Sequence, residues 1–335
     1  MGGQADSDLL IAPAGGLAWS RLPASGVRLS WQVSRAGTLS AFMPANTAHD
    51  VGLSHADVRG MWVTYWHPTA GEWGGQITAV DWRDAEVEIA AESYLTLLRR
   101  RRAPRQLRPA TMQAGAIFRY AVTQAAGDRP VWYTSIRADE DGDLLTWEFR
   151  HDDLHDDLLP RLLTNHEVEF TSTRALNFVN RIGADISHRC HLLEGVHLAN
   201  VRLMGDLWAV RNDLVAVAGN DTYTAGEYYQ VEDNASIAQY GRLEDTAQLR
   251  GTVDRTQVVN QLRAEIATSA AAVDAIEATV LDVNGCWSEF REGDTVLMSI
   301  PTANSVVRAR VMARALDVGS GTMSVSADVV DILWP

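Results

Sequence analysis

Both ends of the sequence consist of short segments rich in valine, isoleucine and tryptophan, separated by turns that contain glycine. Residues 67–93, HPTAGEWGGQITAVDWRDAEVEIAAES, predict a meander of strands in which TAGEWGG and WRDAE are the turns. Branched and aromatic side chains favour an extended backbone, and glycine permits the tight reversals between strands. We therefore expect residues 1–105 to form an N-terminal β-barrel-like domain.

The same pattern returns near the C-terminal end. Four strand-like segments follow one another there: ATVLDVNGCW, DTVLMSIP, SVVRARVMARALDVG and TMSVSADVVDIL. A helical pattern precedes them, and its apolar face is marked at four-residue steps by Val258, Leu262, Ile266 and Ala270. Residues 251–335 therefore predict a helix followed by a second β-barrel-like domain.

The middle of the chain mixes helical and strand-like patterns. A proline-containing linker, PRQLRPA, is followed by a helical pattern that ends at Gly127, and RALNFVNRIG is also predicted to be helical. We expect residues 106–200 to form an α+β insertion and residues 201–250 to return as strands that complete the first barrel. The predicted fold class is thus β-rich α+β, with two small β-barrel domains and an insertion between them.

Charge and cysteine content exclude several classes of function. The formal net charge is −14, from 43 acidic and 29 basic residues, and every basic residue is arginine. An acidic chain without a basic stripe is not expected to bind nucleic acid specifically. Two cysteines exclude a disulfide framework and fit a reducing cytoplasm. No apolar run reaches the roughly 18 residues of a membrane helix, and no secretory signal is visible at the N-terminus.

The stretch HDDLHDDLLPRLL, residues 151–163, allows three interpretations: a metal site, an acid–base pair or a capped helix entrance. His151 and His155 have the spacing of the two histidines in a helical zinc motif. The residue after the first histidine is Asp152, where that motif has its catalytic glutamate. No third ligand is evident nearby, so the zinc ligand set is incomplete.

Pro160 favours the third interpretation. Proline is tolerated only in the first turn of a helix, so we expect the helix to begin near Asp156 or Asp157. These two carboxylates would then cap the positive N-terminal end of the helix.

The remaining candidates for chemistry are also interpreted as structural. One segment gathers four potential metal ligands, His188, Cys190, His191 and His197, but at spacings that match a zinc site only loosely. Cys286 precedes a tryptophan, as the nucleophile of papain-like proteases does, yet no histidine follows His197 in the sequence to activate it. We therefore expect no catalytic, cofactor-binding or metal-binding residue and no cofactor.

Two other classes of function stay open. Tryptophan side chains can stack against sugars, so Trp62, Trp66 and Trp73 predict a carbohydrate-binding receptor-recognition surface in one alternative. In the other, the His/Asp cluster of residues 151–157 serves a hydrolase of cell-wall peptide or glycan. Glycan binding and peptidoglycan zymography distinguish these alternatives from a structural role.

Two stretches resemble a known family. In VTYWHPTAGEWGGQITAVDWRDAEVEIAAESYLTLLRRRRAP, a meander ends in a short helix with a Leu-Leu-Arg-Arg tail. Later, a strand is followed by a Ser-Ile-x-x-Tyr-Gly-Arg turn, formed here by Ser236, Ile237, Tyr240, Gly241 and Arg242. These features, and the order of barrel, insertion, return strands, helix and second barrel, resemble the siphophage tail-hub family of baseplate-hub and minor tail proteins. The likeness spans most of the chain.

The resemblance implies a structural role in a virion. Such hubs are trimers at the distal end of the tail tube, and their six barrels match a hexameric tube ring. It implies as partners a distal tail protein or the tube ring, the tape measure protein and tip or receptor-binding proteins, with genomic DNA passing through unbound. Many relatives carry a C-terminal lytic or host-binding extension; the sequence printed here ends at Pro335, directly after the second barrel, so the resemblance does not by itself imply a lytic role.

Two acid-rich turns, RADEDGD and HDDLHDD, fall in the insertion, which in this family lies beyond the barrel ring. Burying several unpaired carboxylates would cost several kcal/mol each, on the order of a domain's stability. We therefore expect solvent-facing or channel-facing positions among Asp139, Glu140, Asp141, Asp143, Asp152, Asp153, Asp156 and Asp157.

Overall fold

The computed structural model describes residues 8–13, 19–50, 60–103, 110–127, 132–141, 144–147, 153–163, 166–206, 210–218, 227–247, 258–259, 262–263, 265–266, 269–270 and 273–334. The strands are β1 (Asp8–Ala12), β2 (Ser20–Leu22), β3 (Ser25–Gln32), β4 (Thr38–Pro44), β5 (Trp62–His67), β6 (Gly71–Trp82), β7 (Glu86–Ser93), β8 (Ala110–Gln113), β9 (Ser135–Ala138), β10 (Leu144–Trp147), β11 (Glu167–Phe170), β12 (Ala175–Val179), β13 (His191–Leu193), β14 (Leu198–Asp206), β15 (Asp213–Ala218), β16 (Glu227–Glu232), β17 (Glu244–Ala247), β18 (Val273–Val280), β19 (Thr295–Ile300), β20 (Ser305–Asp317) and β21 (Thr322–Trp334). The helices are α1 (Ala45–Asp50), α2 (Ala114–Ala126), α3 (Leu159–Leu162) and α4 (Asn234–Tyr240), with 3₁₀ turns at Tyr94–Arg100, Val283–Ser288 and Pro301–Ala303 and a π-helical turn at Leu154–Leu158.

The fold is mostly β, as the sequence predicts. Thirteen strands form one sheet, whose path runs β14-β18-β21-β20-β3-β4-β7-β6-β5-β1-β2, while β19 pairs with β20 and β13 with β19. The N-terminal and C-terminal strands meet where β20 pairs antiparallel with β3, in a register from Ala313 opposite Gln32 to Asp317 opposite Arg28. The strands of the two expected barrels are therefore joined in one continuous sheet.

The two halves of this sheet have the same connectivity. In the N-terminal unit the pairing order is β3-β4-β7-β6-β5, and in the C-terminal unit it is β14-β18-β21-β20-β19. In each unit a long hairpin, β6–β7 or β20–β21, carries a bulge in its first strand, after Ile77 or after Val311. The chain thus contains two copies of one five-stranded arrangement.

The strands within residues 201–250 differ from the prediction that they complete the first barrel. β14 belongs to the C-terminal unit, and β15, β16 and β17 form a separate three-stranded sheet. The predicted apolar helical face packs against this small sheet, in a cluster of Leu214, Ala216, Val258, Leu262, Ile266 and Ala270. Burial of that face explains the separate sheet, because β15 supplies the apolar surface that the helix covers.

The middle region is α+β in structure. It contains the sheet β11-β12-β9, the pair β8–β10 and α2, which ends before Gly127 at φ 53°. The RALNFVNRIG segment is not helical: Ala175–Val179 is strand β12, paired on both sides. Leu176 and Phe178 are buried on one face of it, and Phe178 stacks on Phe118 of α2 with ring centroids 4.5 Å apart.

The middle region is held against the C-terminal unit by a charged and hydrogen-bonded contact. Arg310 Nη1 lies 2.6 Å from Glu167 Oε1, and the Ile182 amide donates to Glu167 Oε2 at 2.6 Å. Beside them, the backbone of Gly183 crosses that of Gly293 so closely that an added β-carbon would lie 2.2 Å from the Gly293 carbonyl carbon. Both glycines have positive φ, so the crossing depends on their missing side chains.

Candidate functional site

One face of the continuous sheet is covered by core residues and the other is open. On β4, for example, Leu39, Ala41 and Met43 are buried, whereas Thr38 and Ser40, which alternate with them, are not. Two shallow depressions on the open face, of about 490 and 370 Å³, span the β3–β20 junction. Most residues that line them are small, and the lining also contains leucine and arginine side chains; it includes Ser30, Thr38, Ser40, Thr78, Ala90, Thr279, Ala313, Ala315, Ser324 and Ser326, together with Arg28, Leu29, Leu39, Arg202 and Leu316.

Carboxylate side chains also lie on this open face. Glu92 and Glu277 line the depressions, and Glu88 lies two residues before Ala90 on the same side of β7. The arginines that reach these carboxylates are each in an ion pair, at 2.9 Å (Arg83–Glu88), 3.5 Å (Arg99–Glu92) and 3.7 Å (Arg202–Glu277). A surface of hydroxyl and methyl groups with paired charges presents little free positive charge to a phosphate backbone.

The sequence did not single out these residues, although a signal was present. The segment TMSVSAD alternates serine with buried Met323 and Val325, and small hydroxyl residues at every second position mark a solvated strand face. What the sequence lacked was the pairing that places this strand, β21, in one sheet with β3 and β4, with β20 between β21 and β3.

The predicted acidic residues of the first turn lie at the surface of the middle region. Glu140 and Asp141 are exposed and Asp139 is half-buried. Each carboxylate has a nearby partner: Arg137 for Asp139 at 3.4 Å, Arg119 for Glu140 at 2.8 Å and Asn180 for Asp141 at 2.5 Å. Asp143 and Asp152 lie outside the described residues.

The second acidic turn corrects the predicted helix start. Asp153, not Asp156 or Asp157, is the N-cap, because its carboxylate accepts the amides of His155 and Asp156 at 2.9 and 3.1 Å. The helical turn begins at Leu154, so His155 lies inside it, and Asp157 lies in the same turn. Asp156 is exposed and 2.6 Å from the His155 ring. His151 is outside the described residues.

The histidines and cysteines of the second cluster have separate structural contacts. His191 Nε2 lies 2.7 Å from Ser299 Oγ, and His197 Nδ1 accepts the Leu193 amide at 3.2 Å. Cys190 is buried, and burial raises its pKa to about 12. His188 is exposed. Among the described residues, no three His, Cys, Asp or Glu side chains are grouped so as to hold a metal ion.

Cys286 is also buried in the core. Its thiol donates to the Leu281 carbonyl at 3.0 Å, and burial raises its pKa. The adjacent Trp287 indole donates to the Val280 carbonyl at 3.0 Å. Both side chains therefore anchor the 3₁₀ turn after β18, and the thiol is kept in its unreactive protonated form.

The family-like turn from Ser236 to Arg242 forms a buried hydrogen-bond network. The Asn212 side chain is fully buried and donates to Ser236 Oγ at 3.2 Å and to the Gly241 carbonyl at 2.7 Å. Its oxygen accepts the Leu243 amide at 2.7 Å. Ile237 and Tyr240 lie in α4, which ends at Gly241 with φ 82°.

Arg242 completes the turn by an ion pair. It contacts buried Asp213 and, at 2.9 Å, Glu232. Because these partners come from β15 and β16, the turn fastens α4 to its own small sheet. Its described contacts assign it a structural role.

The three tryptophans of the sugar-binding alternative differ in their exposure to solvent. Trp62 and Trp73 are 7% and 2% exposed, whereas Trp66 is 52% exposed. Trp66 lies at a groove of about 780 Å³, which Trp31, Phe290 and Trp287 also line. Among the three, only Trp66 presents its ring to solvent, so they do not form a shared stacking platform.

No protein-family model and no curated protein matches the sequence. Solved structures do match its fold. A 43 kDa tail protein of prophage MuSo2 from Shewanella oneidensis has a TM-score of 0.67 at 11% identity, over 96% of this chain and 98% of that one. A tail protein from Neisseria meningitidis MC58 has a TM-score of 0.65 at 11% identity, over 97% of each chain.

A third match comes from a type VI secretion system. The Escherichia coli c3393 protein, a type VI secretion component described as similar to the T4 tail proteins gp27 and gp5, has a TM-score of 0.54 at 9% identity, over 92% of this chain and 74% of that one. The fold of this chain is therefore that of phage tail proteins, and the resemblance noted in the sequence is confirmed at the level of the fold. No described helix has the length and apolar character needed to cross a membrane.

Proposed function

We propose that this chain, whose fold is that of phage tail proteins, is a structural hub of a phage tail tip. In this proposal three copies form a ring that joins the hexameric tail tube to the tail tip and encloses the DNA channel. The observation that carries it is the match along the full length of two tail proteins, with no large part of either chain left over. A match of that extent concerns the whole architecture rather than one shared module.

The internal repetition supports the trimeric ring. Each chain contains two five-stranded units of the same connectivity, which we take as its two barrel-like modules, with the middle region as the insertion. Three chains would then present six equivalent units to a six-fold tube. Closed rings form when each copy uses the same pair of complementary surfaces.

The open face of the sheet supports the channel. It is a surface of small side chains and paired charges that continues from one unit to the other, and its carboxylates would repel DNA rather than hold it. We also assign the acidic turns of the middle region to solvent or to the channel beyond the ring. The partners would be the tube ring or distal tail protein, the tape measure protein and the tip or receptor-binding proteins.

The mass of the purified chain, measured by light scattering across a concentration series, tests this function. We expect a species three times the 36.7 kDa chain mass, which adds to isolated tail tubes and shows no glycan binding and no band on a peptidoglycan zymogram. A chain that stays monomeric both alone and with tubes contradicts the hub. Glycan binding would favour the receptor alternative, and a zymogram band the hydrolase.

A further inference from the structure

The two units agree residue by residue in their strand registers. Leu39 opposite Ala91 in the N-terminal unit corresponds to Ile276 opposite Ala327 in the C-terminal unit. The first strand of each unit also bulges at the same place, where Gly26 has φ 57° and Asn200 has φ 53°. These matches equate β14 with β3 and β6 with β20.

The chain contains one junction between units, formed by the C-terminal part of β20 and β3. It is possible because β19 pairs only with residues 305–310 of β20, which leaves residues 313–317 free to pair with β3. In the N-terminal unit, β5 likewise pairs only with residues 71–76 of β6. Residues 79–82 therefore have no described strand on that edge.

The strand equivalent to β3 in the C-terminal unit is β14, and it too has one edge without a described partner strand. β14 pairs with β18 on one edge and has no described strand on its other edge, where β3 has β20. Each chain thus has both halves of a second junction, at opposite ends of the repeated arrangement. They are separated within one chain, but two copies would bring them together.

We propose that β14 of one copy pairs antiparallel with β6 of a second copy, in the register of the β3–β20 junction. This inference rests on the self-assembly in the proposed function and specifies its contact. Transferring the register places Leu203 opposite Trp82, Met204 opposite Asp81 and Gly205 opposite Val80.

The exposure of these side chains supports the pairing. Leu203 is 43% exposed, whereas its equivalent Leu29 is 2% exposed and lies opposite buried Leu316. Trp82, the equivalent of Leu316, is half-buried and packs against His49 of its own chain, with ring centroids 5.1 Å apart. An exposed leucine on an edge strand is what remains when the strand that covers it belongs to another molecule.

The charged residues at the second junction differ from those at the internal junction. At the internal junction Arg28 lies 3.1 Å from Asp317. The transferred register places Arg202 opposite Arg83, which is already paired with Asp81 at 3.0 Å. Asp81 lies diagonally across from Arg202 on the same face, within the reach of a long side chain. Arg83 and Arg202 also have Glu88 at 2.9 Å and Glu277 at 3.7 Å in their own chains, so the charges of the second junction stay balanced even when Asp81 is replaced.

Cysteine pairs test the register between copies. Asp81→Cys with Met204→Cys should form a disulfide between copies under mild oxidation, giving dimers and closed trimers on a denaturing gel. Val80→Cys with Met204→Cys is the matched control, because adjacent strand positions face opposite sides of the sheet; we expect at least tenfold less cross-linking. Ser30→Cys with Ala315→Cys, the equivalent pair inside the chain, should give only an intramolecular bond. Both natural cysteines are buried and do not compete.

A second measurement separates the contact from the function. Leu203→Asp should lower the association constant of the copies by at least tenfold in light scattering while leaving the circular dichroism spectrum of the chain unchanged. A trimer that forms without the disulfide between positions 81 and 204 of neighbouring copies overturns this strand pairing and leaves the hub function standing. Copies that do not associate at any concentration or on tail tubes overturn both.

Discussion

Arg314 lies against the indole ring of Trp31, with its guanidinium carbon 5.0 Å from the ring centroid. The two residues are opposite each other in the β20–β3 register, so this contact is made where the two units of the chain meet. Arg314 is 4% exposed and also donates to Glu292 at 2.8 Å and to the Phe290 carbonyl at 3.0 Å. A buried cation at this point makes the junction depend on the Glu292 countercharge.

Removing that countercharge should weaken the junction. Glu292→Gln leaves the Arg314 guanidinium buried without its carboxylate, so the free energy of unfolding should fall by about 3–5 kcal/mol. Urea denaturation followed by tryptophan fluorescence measures the change. Arg28→Gln is the matched control, since it breaks an exposed ion pair in the same two strands and should cost about 0–1 kcal/mol. Equal losses in the two variants would contradict the buried role of Arg314.

The crossing of Gly183 and Gly293 should tolerate no side chain. Gly183→Ala introduces a clash with the Gly293 backbone in addition to an unfavourable positive φ of 78°. Gly195→Ala has a similar φ of 82° but meets no atom within 4 Å, so it should cost only the roughly 1–2 kcal/mol of the left-handed backbone. We expect Gly183→Ala to cost clearly more than the control. Hydrogen exchange should show this additional destabilisation as lost amide protection around Ala184 and Thr295. Equal losses of stability in the two variants would contradict the close crossing of Gly183 and Gly293.

The cysteine thiols should be inert in the native protein. Burial raises the pKa of Cys190 to about 12 and raises that of Cys286, so an aromatic disulfide reagent at pH 8 should label neither until the chain is unfolded. Because the folded pKa is raised, the stability that Cys190 contributes is complete below an unfolded thiol pKa of about 8.5 and is lost as the pH rises toward about 12. Rapid labelling of the folded chain at pH 8 is the opposing result.

Carboxylates of the open sheet face should affect the rate of DNA ejection rather than the assembly of the trimer. Replacing Glu88, Glu92 and Glu277 with glutamine should leave the trimer intact and slow DNA ejection, because the wall repels phosphate less. The same amide replacement at Glu140, Asp141 and Asp156 should slow ejection less, since these residues lie on turns of the middle region. Ejection followed by dye fluorescence distinguishes the two sets. Unchanged ejection kinetics in both sets of variants would contradict the position of these carboxylates in the channel.

Local features of this fold could be predicted from the sequence. Gly127 marks the end of α2, and the four-residue steps from Val258 to Ala270 mark an apolar face that is buried as expected. Both signals depend on neighbours within one or two helical turns. RALNFVNRIG was predicted wrongly because its apolar spacing fits a helix, while pairing with β9 and β11 makes it a strand. Asp153 was missed as the cap because a π-helical turn adds residues before Pro160.

Long-range pairing could not be predicted. The β3–β20 junction joins residues separated by nearly the whole chain, such as Arg28 and Asp317, and no local pattern specifies it. The repeated unit was hidden for a related reason. Its two copies share registers and bulges, yet Leu203 replaces buried Leu29 at an exposed edge, and the repeat has no short sequence period. The open sheet face is formed by strands from both units, so it too could be recognised only in the folded chain.

A reconstruction of an assembled tail that contains this chain, by electron cryomicroscopy, would show both the ring and the orientation of the open sheet face. We expect three copies in a ring at the distal end of the tube, with six equivalent units and with Ser30, Ser324 and Glu277 facing the lumen. This expectation would be contradicted by a chain located away from the tube axis, or by a ring in which this sheet face is turned outward to solvent.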